Sequence, residues 1–332
     1  MEVAHAASGR AGGFLALDWC DGQETGPLAR RSFLLHKELD TELGGCGYRA
    51  MRTLSLEVQP QRNGRKEAVA PDWVDGQTKH TSTIGTTETT AQVHPRLLTK
   101  SLMARAEKLG ARLVHAEVVG GQLDQSGSVT GVKLSTGEVL EADIVILCMG
   151  PWTSRGLGWF GLDAKLIDGT RAHSITLQLE DPDKSTIDNT ALFLSSMKSP
   201  EVYPRPDGTV YMCGGCSSDH VPLPEHPSRV SVDNDACQQI KVIAGHVSDQ
   251  LASVTQYTSS ACYLPHSTDG VPIIGHVSHV PGLMVAAGHS CWGILQGPAT
   301  GEAVAEVIVH GQSKHVDLTC FSPDRFFRKK KK

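Results

Sequence analysis

The residues with the clearest chemical potential lie between 283 and 309. Leu283–Ala287 reads as a short apolar strand and Gly288-His-Ser-Cys-Trp-Gly293 as a loop. Pro298 then opens a helix that carries Ala299, Ala303, Val304, Val307 and Ile308 and ends near Gly311. The start of a helix presents unpaired N–H groups and roughly half a positive charge, so it favours negative charge on a ligand set before it. Gly288 and Gly293 lack a Cβ and would let the backbone approach a flat ligand closely, with Trp292 packed beside it. The same spacing also fits an ordinary strand-to-helix turn, and the pattern leaves both open. His289 can assist a proton transfer or serve as a structural hydrogen-bonding group.

Other motifs carry less. Cys213-Gly-Gly-Cys216 is the only close cysteine pair, without the four-ligand set that zinc prefers, and it follows the strand-like Thr209–Cys213. It is expected to pack at a strand end, and no metal is expected. Two glycine patterns imitate a dinucleotide fingerprint. Gly45-Cys-Gly47-Tyr-Arg-Ala50 follows a helix. Gly156-Leu-Gly158-Trp-Phe-Gly161 is followed by Leu162–Ala172, too short and too poorly periodic for a crossover helix, although Glu180 stands near the right distance. Neither is expected to bind a dinucleotide, and an NAD-linked dehydrogenase would rest on the second pattern alone.

The elements that must position these residues alternate between two styles. Pro27 opens a helix with Leu28, Leu35, Leu39 and Leu43, closed by Gly44. Pro95 opens another, with Leu98, Leu102, Ala106 and Leu109 on one face, closed by Gly110. Arg112–Val119 has strand character, and Val129–Leu134 with Val139–Ala142 reads as a glycine-turn hairpin. Asp143-Ile-Val-Ile-Leu-Cys-Met-Gly150 is continuously apolar, as in a strand buried on both faces of a parallel sheet. Between Arg171 and Cys262 the strand candidates Ser174–Leu179, Ala191–Ser195 and Thr209–Cys213 are punctuated by Pro, Asp and Gly, with one helix expected between Asp233 and Leu251.

Bulk properties limit the function classes. With 31 Lys and Arg against 36 Asp and Glu the net charge is −5, which argues against nucleic acid as the main partner. No run approaches the ~18 apolar residues of a membrane span, and no apolar h-region follows Met1. Nine scattered cysteines fit a reduced, cytoplasmic setting. The basic end, Arg328 to Lys332, reads as a frayed tail.

Several stretches together resemble the D-amino-acid oxidase type of FAD-dependent oxidoreductase. Ala261-Cys-Tyr-Leu-Pro-His-Ser-Thr-Asp-Gly-Val-Pro-Ile-Ile-Gly275 resembles the segment that returns the chain to the flavin domain, and Gly288–Gly301 the final flavin-contacting loop and helix. Ser8-Gly-Arg-Ala-Gly-Gly-Phe14 is similar to the loop after the ribose-binding strand. Asp143 to Trp152 resembles the strand ending in Gly-Pro-Trp beside the cofactor, and Gln92-Val-His-Pro-Arg96 the start of the helix leading into that region. Glu201-Val-Tyr-Pro-Arg-Pro-Asp-Gly208 is similar to a substrate-domain strand and turn. The resemblance implies an α/β (α+β) fold, with an incomplete FAD-binding Rossmann-like domain built on a parallel sheet and a substrate domain built on a mixed or antiparallel sheet. It places the FAD-binding domain at 1–50, 92–165 and 262–325, the substrate domain at 51–91 and 166–261, and a basic tail at 326–332. It implies FAD contacts at Ser8, Gly9, Arg10, Ala11, Gly12, Gly13, Val118, Met149, Gly150, Trp152, Gly275, Gly288, His289, Trp292, Gly293 and Ile294. His289 and Arg205 become the candidates for catalysis. The implied reaction is hydride transfer from the carbon of an amine or amino-acid-like substrate to flavin, reoxidised by O₂ or another acceptor. Protein partners and oligomeric state stay open.

The sequence departs from that family in two respects. The expected opening strand, Gly-x-Gly-x-x-Gly and second strand with an acidic end do not precede Ser8. A truncated chain that binds FAD poorly is the expectation, with interaction or trafficking as the alternative to catalysis. Secondly, Leu264 follows Tyr263 where many amino-acid oxidases of this type carry an Arg for the substrate carboxylate; Arg205 and Arg171 are the candidate replacements.

Overall fold

A computed structural model describes residues 2–59, 66–163, 165–180, 187–214 and 221–327; Cys216 and the basic run from Arg328 lie outside them. The chain begins with one helical turn, α1 (Ala7–Arg10), and strand β1 (Phe14–Ala16). Helix α2 (Gly26–Glu42) has Pro27 in its first turn and buries Leu28, Ala29, Ser32, Phe33 and His36. Strands β2 (Arg49–Ala50) and β5 (Thr90–Gln92) join β1 in a small sheet ordered β1-β5-β2. Helix α3 (Pro95–Lys108) follows, with the His94 ring accepting from the Leu97 N–H.

The large sheet has seven strands: β3 (Thr53–Val58), β4 (Thr78–Gly85), β10 (Ile167–Gln178), β11 (Ala191–Leu194), β12 (Glu201–Pro204), β13 (Thr209–Cys213) and β14 (Tyr257–Ser267), in the order β14-β10-β13-β12-β11-β3-β4. It is mixed, since β3 and β11 pair in parallel and the other pairs are antiparallel. Side chains alternate between its faces. One face, with Leu54, Leu56, Ile175, Leu192, Val202, Val210 and Met212, packs on α5 (Asn234–Val247), which offers Cys237, Ile240, Ile243 and Ala244. The opposite face carries Phe193, Tyr203 and Tyr211. Asp233 caps α5 by accepting from the N–H groups of Asp235 and Ala236.

A hairpin sheet contains β6 (Val118–Leu123), β7 (Val129–Leu134) and β8 (Val139–Glu141), and a further sheet orders β15 (Ile273–His276), β16 (Leu283–Ala287) and β9 (Val145–Leu147). The short helices α4 (Thr153–Gly158) and α6 (Asp249–Ser253) and the long α7 (Gly293–His310) complete the fold. Among the described residues no helix is long and apolar enough to cross a membrane.

Four local expectations are corrected. Residues 112–117 form no strand, and all are exposed; strand pairing begins only at Val118. The run after Asp143 gives a three-residue strand at the edge of its sheet, with only Leu147 buried and Ile146 36% exposed. A strand buried on both faces needs neighbours on both sides, and β9 has β16 alone among the described strands. The helix expected between Asp233 and Leu251 is two helices, because Ser248 is extended and its side chain caps α6. Pro298 lies inside α7, which begins at Gly293.

Candidate functional site

The site is built where two parallel strands end together. β16 and β9 are adjacent and parallel, with Leu283 opposite Val145 and Val285 opposite Leu147. The segments that leave them, 148–152 and 288–293, therefore emerge side by side at the carboxyl edge of one sheet, the usual place for a ligand in such folds. An isolated bridge between His266 and His289 ties the second segment to the end of β14. The large sheet thus meets the small one at this edge.

The 288–293 segment is tightly specified. Gly288 has φ +88° and Ser290, a non-glycine residue, has φ +52°, a conformation that costs free energy and persists only where the surroundings enforce it. The Ser290 hydroxyl lies 3.1 Å from His266 Nδ1. His289 Nε2 lies 3.0 Å from Thr300 Oγ1, whose own proton is donated to the Gln296 carbonyl at 2.9 Å. His289 Nε2 is therefore the donor to Thr300, and Nδ1 keeps its lone pair. Burial pushes the His289 pKa down to about 4, so the ring is neutral near pH 7. The amino end of α7 follows directly, with no side-chain cap on its first N–H groups.

The Ser8–Gly13 segment lies against the large sheet. A Cβ on Gly12 would stand 2.5 Å from the Tyr203 ring and 3.0 Å from Tyr211. Gly13 has φ +87°, with the Val93 carbonyl 2.1 Å from where its Cβ would be. Arg10 donates to the Ala261 carbonyl at 2.7 Å, and Arg205 to the Ala11 carbonyl at 3.0 Å. The Arg205 guanidinium also sits 4.9 Å over the Tyr211 ring. Ser8 accepts from Thr99 and Gly9 donates to the Ala6 carbonyl.

Gly150, at φ +54°, turns the 148–152 segment, and Met149 and Gly150 stay partly open. Trp152 is buried, donates to the Pro224 carbonyl at 2.6 Å and meets Tyr263 edge-on. A cavity of about 760 Å³ bounded by Trp152, Thr170, Pro222 and Leu223 opens beside this turn. Trp292 packs edge-on to Trp19, which in turn meets Phe193 of the sheet, and Ile294 joins the same cluster. Gly293 has only His289 near the position of a Cβ. Gly275 sits in mid-strand opposite Val285 and faces Pro323, and Val118 pairs with Leu134 in the hairpin sheet.

The glycine imitations have structural work. Asp40 Oδ1 accepts from the N–H groups of Cys46 and Tyr48, closing the turn after α2. Gly156 lies within α4, where a Cβ would come 2.8 Å from Met149 Sδ. Arg171 bonds Ser231 on the α5 side of the large sheet.

Glu201 was expected only as part of a substrate-domain strand, with no site role. Its Oε2 accepts from the Tyr203 hydroxyl at 2.5 Å and from the Cys213 thiol at 3.4 Å. Burial pushes its carboxyl up, with those two donors opposing. Burial likewise holds Tyr203, Tyr211 and the Cys213 thiol well above their ordinary values, and Cys262 at about 11, so all four are neutral near pH 7. Period-two alternation through Glu201, Tyr203 and Arg205 was the available signal.

The model of the FAD dependent oxidoreductase family, DAO, matches residues 1–307. The chain belongs to that family. Among its DAO relatives is a Schizosaccharomyces pombe protein, C1F5.03c, whose name assigns it provisionally to the oxidoreductases; it is 34% identical over 97% of this chain and 88% of its own length. TDA3 of Saccharomyces cerevisiae, named in the same way, is 31% identical over 74% of this chain and 53% of its own length. The fold is similar to that of L-proline dehydrogenase from P. horikoshii, with a TM-score of 0.77 at 19% identity over 97% of this chain and 88% of that one. Glycine oxidase from Geobacillus kaustophilus gives 0.76 at 21% identity over 96% and 88%. The expected family, mixed α/β class and FAD dependence are thereby borne out.

Proposed function

We infer that this chain oxidises the C–N bond of an amine or amino-acid-like substrate, with FAD as the hydride acceptor. The observation that carries it is the shared edge from which the 148–152 and 288–293 segments emerge, the second of them reaching the tyrosine-bearing side of the large sheet through Trp292 and Trp19. Support comes from Gly150 and Gly288, which turn the backbone there, and from the first N–H groups of α7, which would favour negative charge on a ring. FAD, when bound, supplies the two-electron acceptor. The chain's own residues orient and exclude water. His289, neutral with an open Nδ1, accepts a hydrogen bond from the amine. Arg205 acts by bracing Ala11 and therefore as a positioning residue.

The nucleotide end is another matter. Among the described residues no glycine-rich turn between a strand and a helix cradles a pyrophosphate. We propose that the ring end of FAD is held at the shared edge of β9 and β16. The division at 1–50, 92–165 and 262–325 against 51–91 and 166–261 is part of this proposal, supported by β3, β4, β10, β11, β12 and β13 of the large sheet lying in the second unit. The eight described cysteines are unpaired, which supports a reducing compartment such as the cytoplasm.

The test is the visible spectrum of the purified chain, before and after added FAD, then under anaerobic amine. Bound flavin followed by substrate-dependent bleaching supports the reading. No flavin uptake and no bleaching would overturn it.

A further inference from the structure

The large sheet places its polar groups in rows. Directly paired residues in antiparallel strands share a face. Glu201 pairs with Cys213, Cys213 with Ser174 and Ser174 with Ser260. Tyr203 pairs with Tyr211 in the next row, and Cys262 and Leu264 follow Ser260 along β14 on the same side. Tyr203 and Tyr211 touch Gly12, so this is the face under the Ser8–Gly13 segment. Glu201 also lies within electrostatic reach of Cys291, in the loop that follows β16. Its carboxylate therefore stands between the sheet and the loops of the site.

The charges around that space are unevenly spent. Arg10 donates to Ala261 and Arg205 to Ala11, both through main-chain carbonyls. Arg49 donates to the Pro204 carbonyl, and Arg171 is turned to Ser231 on the opposite face. Leu264 supplies no charge. On the same face His266 is engaged by Ser290, and Asp168 is exposed and paired with Lys165. Glu201 differs from all of these. Both of its hydrogen bonds fall on Oε2; Oε1 bonds no described residue, and no cation among the described residues offsets the charge. A half-buried carboxylate without a cation is costly unless something completes it. A substrate carboxylate brought here would meet the like charge of Glu201, whereas Arg10, Arg49 and Arg205 are each anchored by a main-chain carbonyl.

We propose that Glu201, held by the Tyr203 hydroxyl and the Cys213 thiol on the loop-facing side of the large sheet, binds the ammonium group of the substrate, so that the site selects a cationic amine without requiring a carboxylate. This deepens the amine-oxidation reading and rests on it for the fate of the bound amine. Glu201 is then a specificity-determining residue. Tyr203 and Cys213 fix its geometry.

The experiment follows the thermal midpoint of the full chain with added FAD, titrated with n-butylamine or with butyrate at matched ionic strength. Retained flavin absorbance is read on the same samples after gel filtration. The expected result is a midpoint raised by butylamine and not by butyrate, with the half-effect amine concentration at least tenfold higher in Glu201→Gln. Should that variant fail to fold, Glu201→Asp keeps the charge, retracts it by one methylene and should weaken the response severalfold. An equal response to both ligands, or an amine response unchanged in the variant that folds, would overturn the proposal. An amine response without retained flavin supports Glu201 and counts against the redox reading. Retained flavin with no preference for the amine does the reverse.

Discussion

His36 in α2 repairs the break that Pro298 makes in α7. Pro298 has no N–H, so the Ile294 carbonyl four residues earlier loses its helical donor. His36 Nε2 fills that place, 2.9 Å from the Ile294 carbonyl and 3.2 Å from that of Leu295. The freed N–H of Ala299 is taken by Ser32 Oγ at 3.0 Å, and Arg31 grips Glu302 one turn further on at 2.8 and 2.5 Å. One face of α2 therefore sets the first turns of α7, the part that faces the candidate flavin site. His36→Ala should remove the donor and leave a cavity, at a cost of about 2–3 kcal/mol. Urea unfolding followed by circular dichroism checks this, and a cost under about 0.5 kcal/mol would show the contact to be incidental.

The same histidine predicts a pH dependence. Burial pushes its pKa from 6.5 down to about 4, and Nδ1 is buried with no acceptor for a second proton. Between those values the unfolded chain binds a proton that the native chain refuses, so stability rises with pH across that window. Acidification from pH 6.5 to pH 4 should cost about 3 kcal/mol from this group alone. Parallel unfolding curves for the wild type and His36→Gln should diverge from about pH 6.5 downward. Identical acid profiles for the two would remove His36 from the account.

At Gly12 the tyrosine floor leaves no room for a methyl group. Gly12→Ala should lift the Ser8–Gly13 segment from Tyr203 and weaken FAD binding by roughly tenfold, about 1.4 kcal/mol. Flavin retention across a dilution series is the measurement, and unchanged retention would place the cofactor elsewhere.

Arg205 joins the Ala11 carbonyl to the Tyr211 ring through one planar group, which a lysine ammonium does not reproduce. Arg205→Lys should lower flavin occupancy and leave the half-effect concentration of butylamine within about twofold, a change of only ~0.4 kcal/mol. A selective loss of amine response would instead make Arg205 a substrate-binding group.

The open side of β9 exposes Ile146. Such an edge invites pairing with another chain. Ile146→Lys should reduce light scattering on standing while changing stability by no more than about 0.5 kcal/mol. Equal scattering would mean that association uses a different surface.

Much of this molecule was legible in the chain itself. Pro27, Pro95, Gly44 and Gly110 marked helix ends because their backbone preferences are local, and Leu283–Ala287 stood out as a strand by composition. The family could be read because backbone approach demands glycine at fixed places such as 12, 13 and 288. The tertiary structure alone decided which side chains share the site. Pairing register carried Glu201 beside Cys213 and Tyr203, turned Arg171 to the opposite face and committed Arg205 to Ala11. It also let α7 begin before its proline, because Ser32 and His36 come from another helix. Local sequence encodes dihedral preference and periodicity, whereas partners brought together across 200 or more residues, as Arg31 and Glu302 are, depend on how the sheets and helices pack.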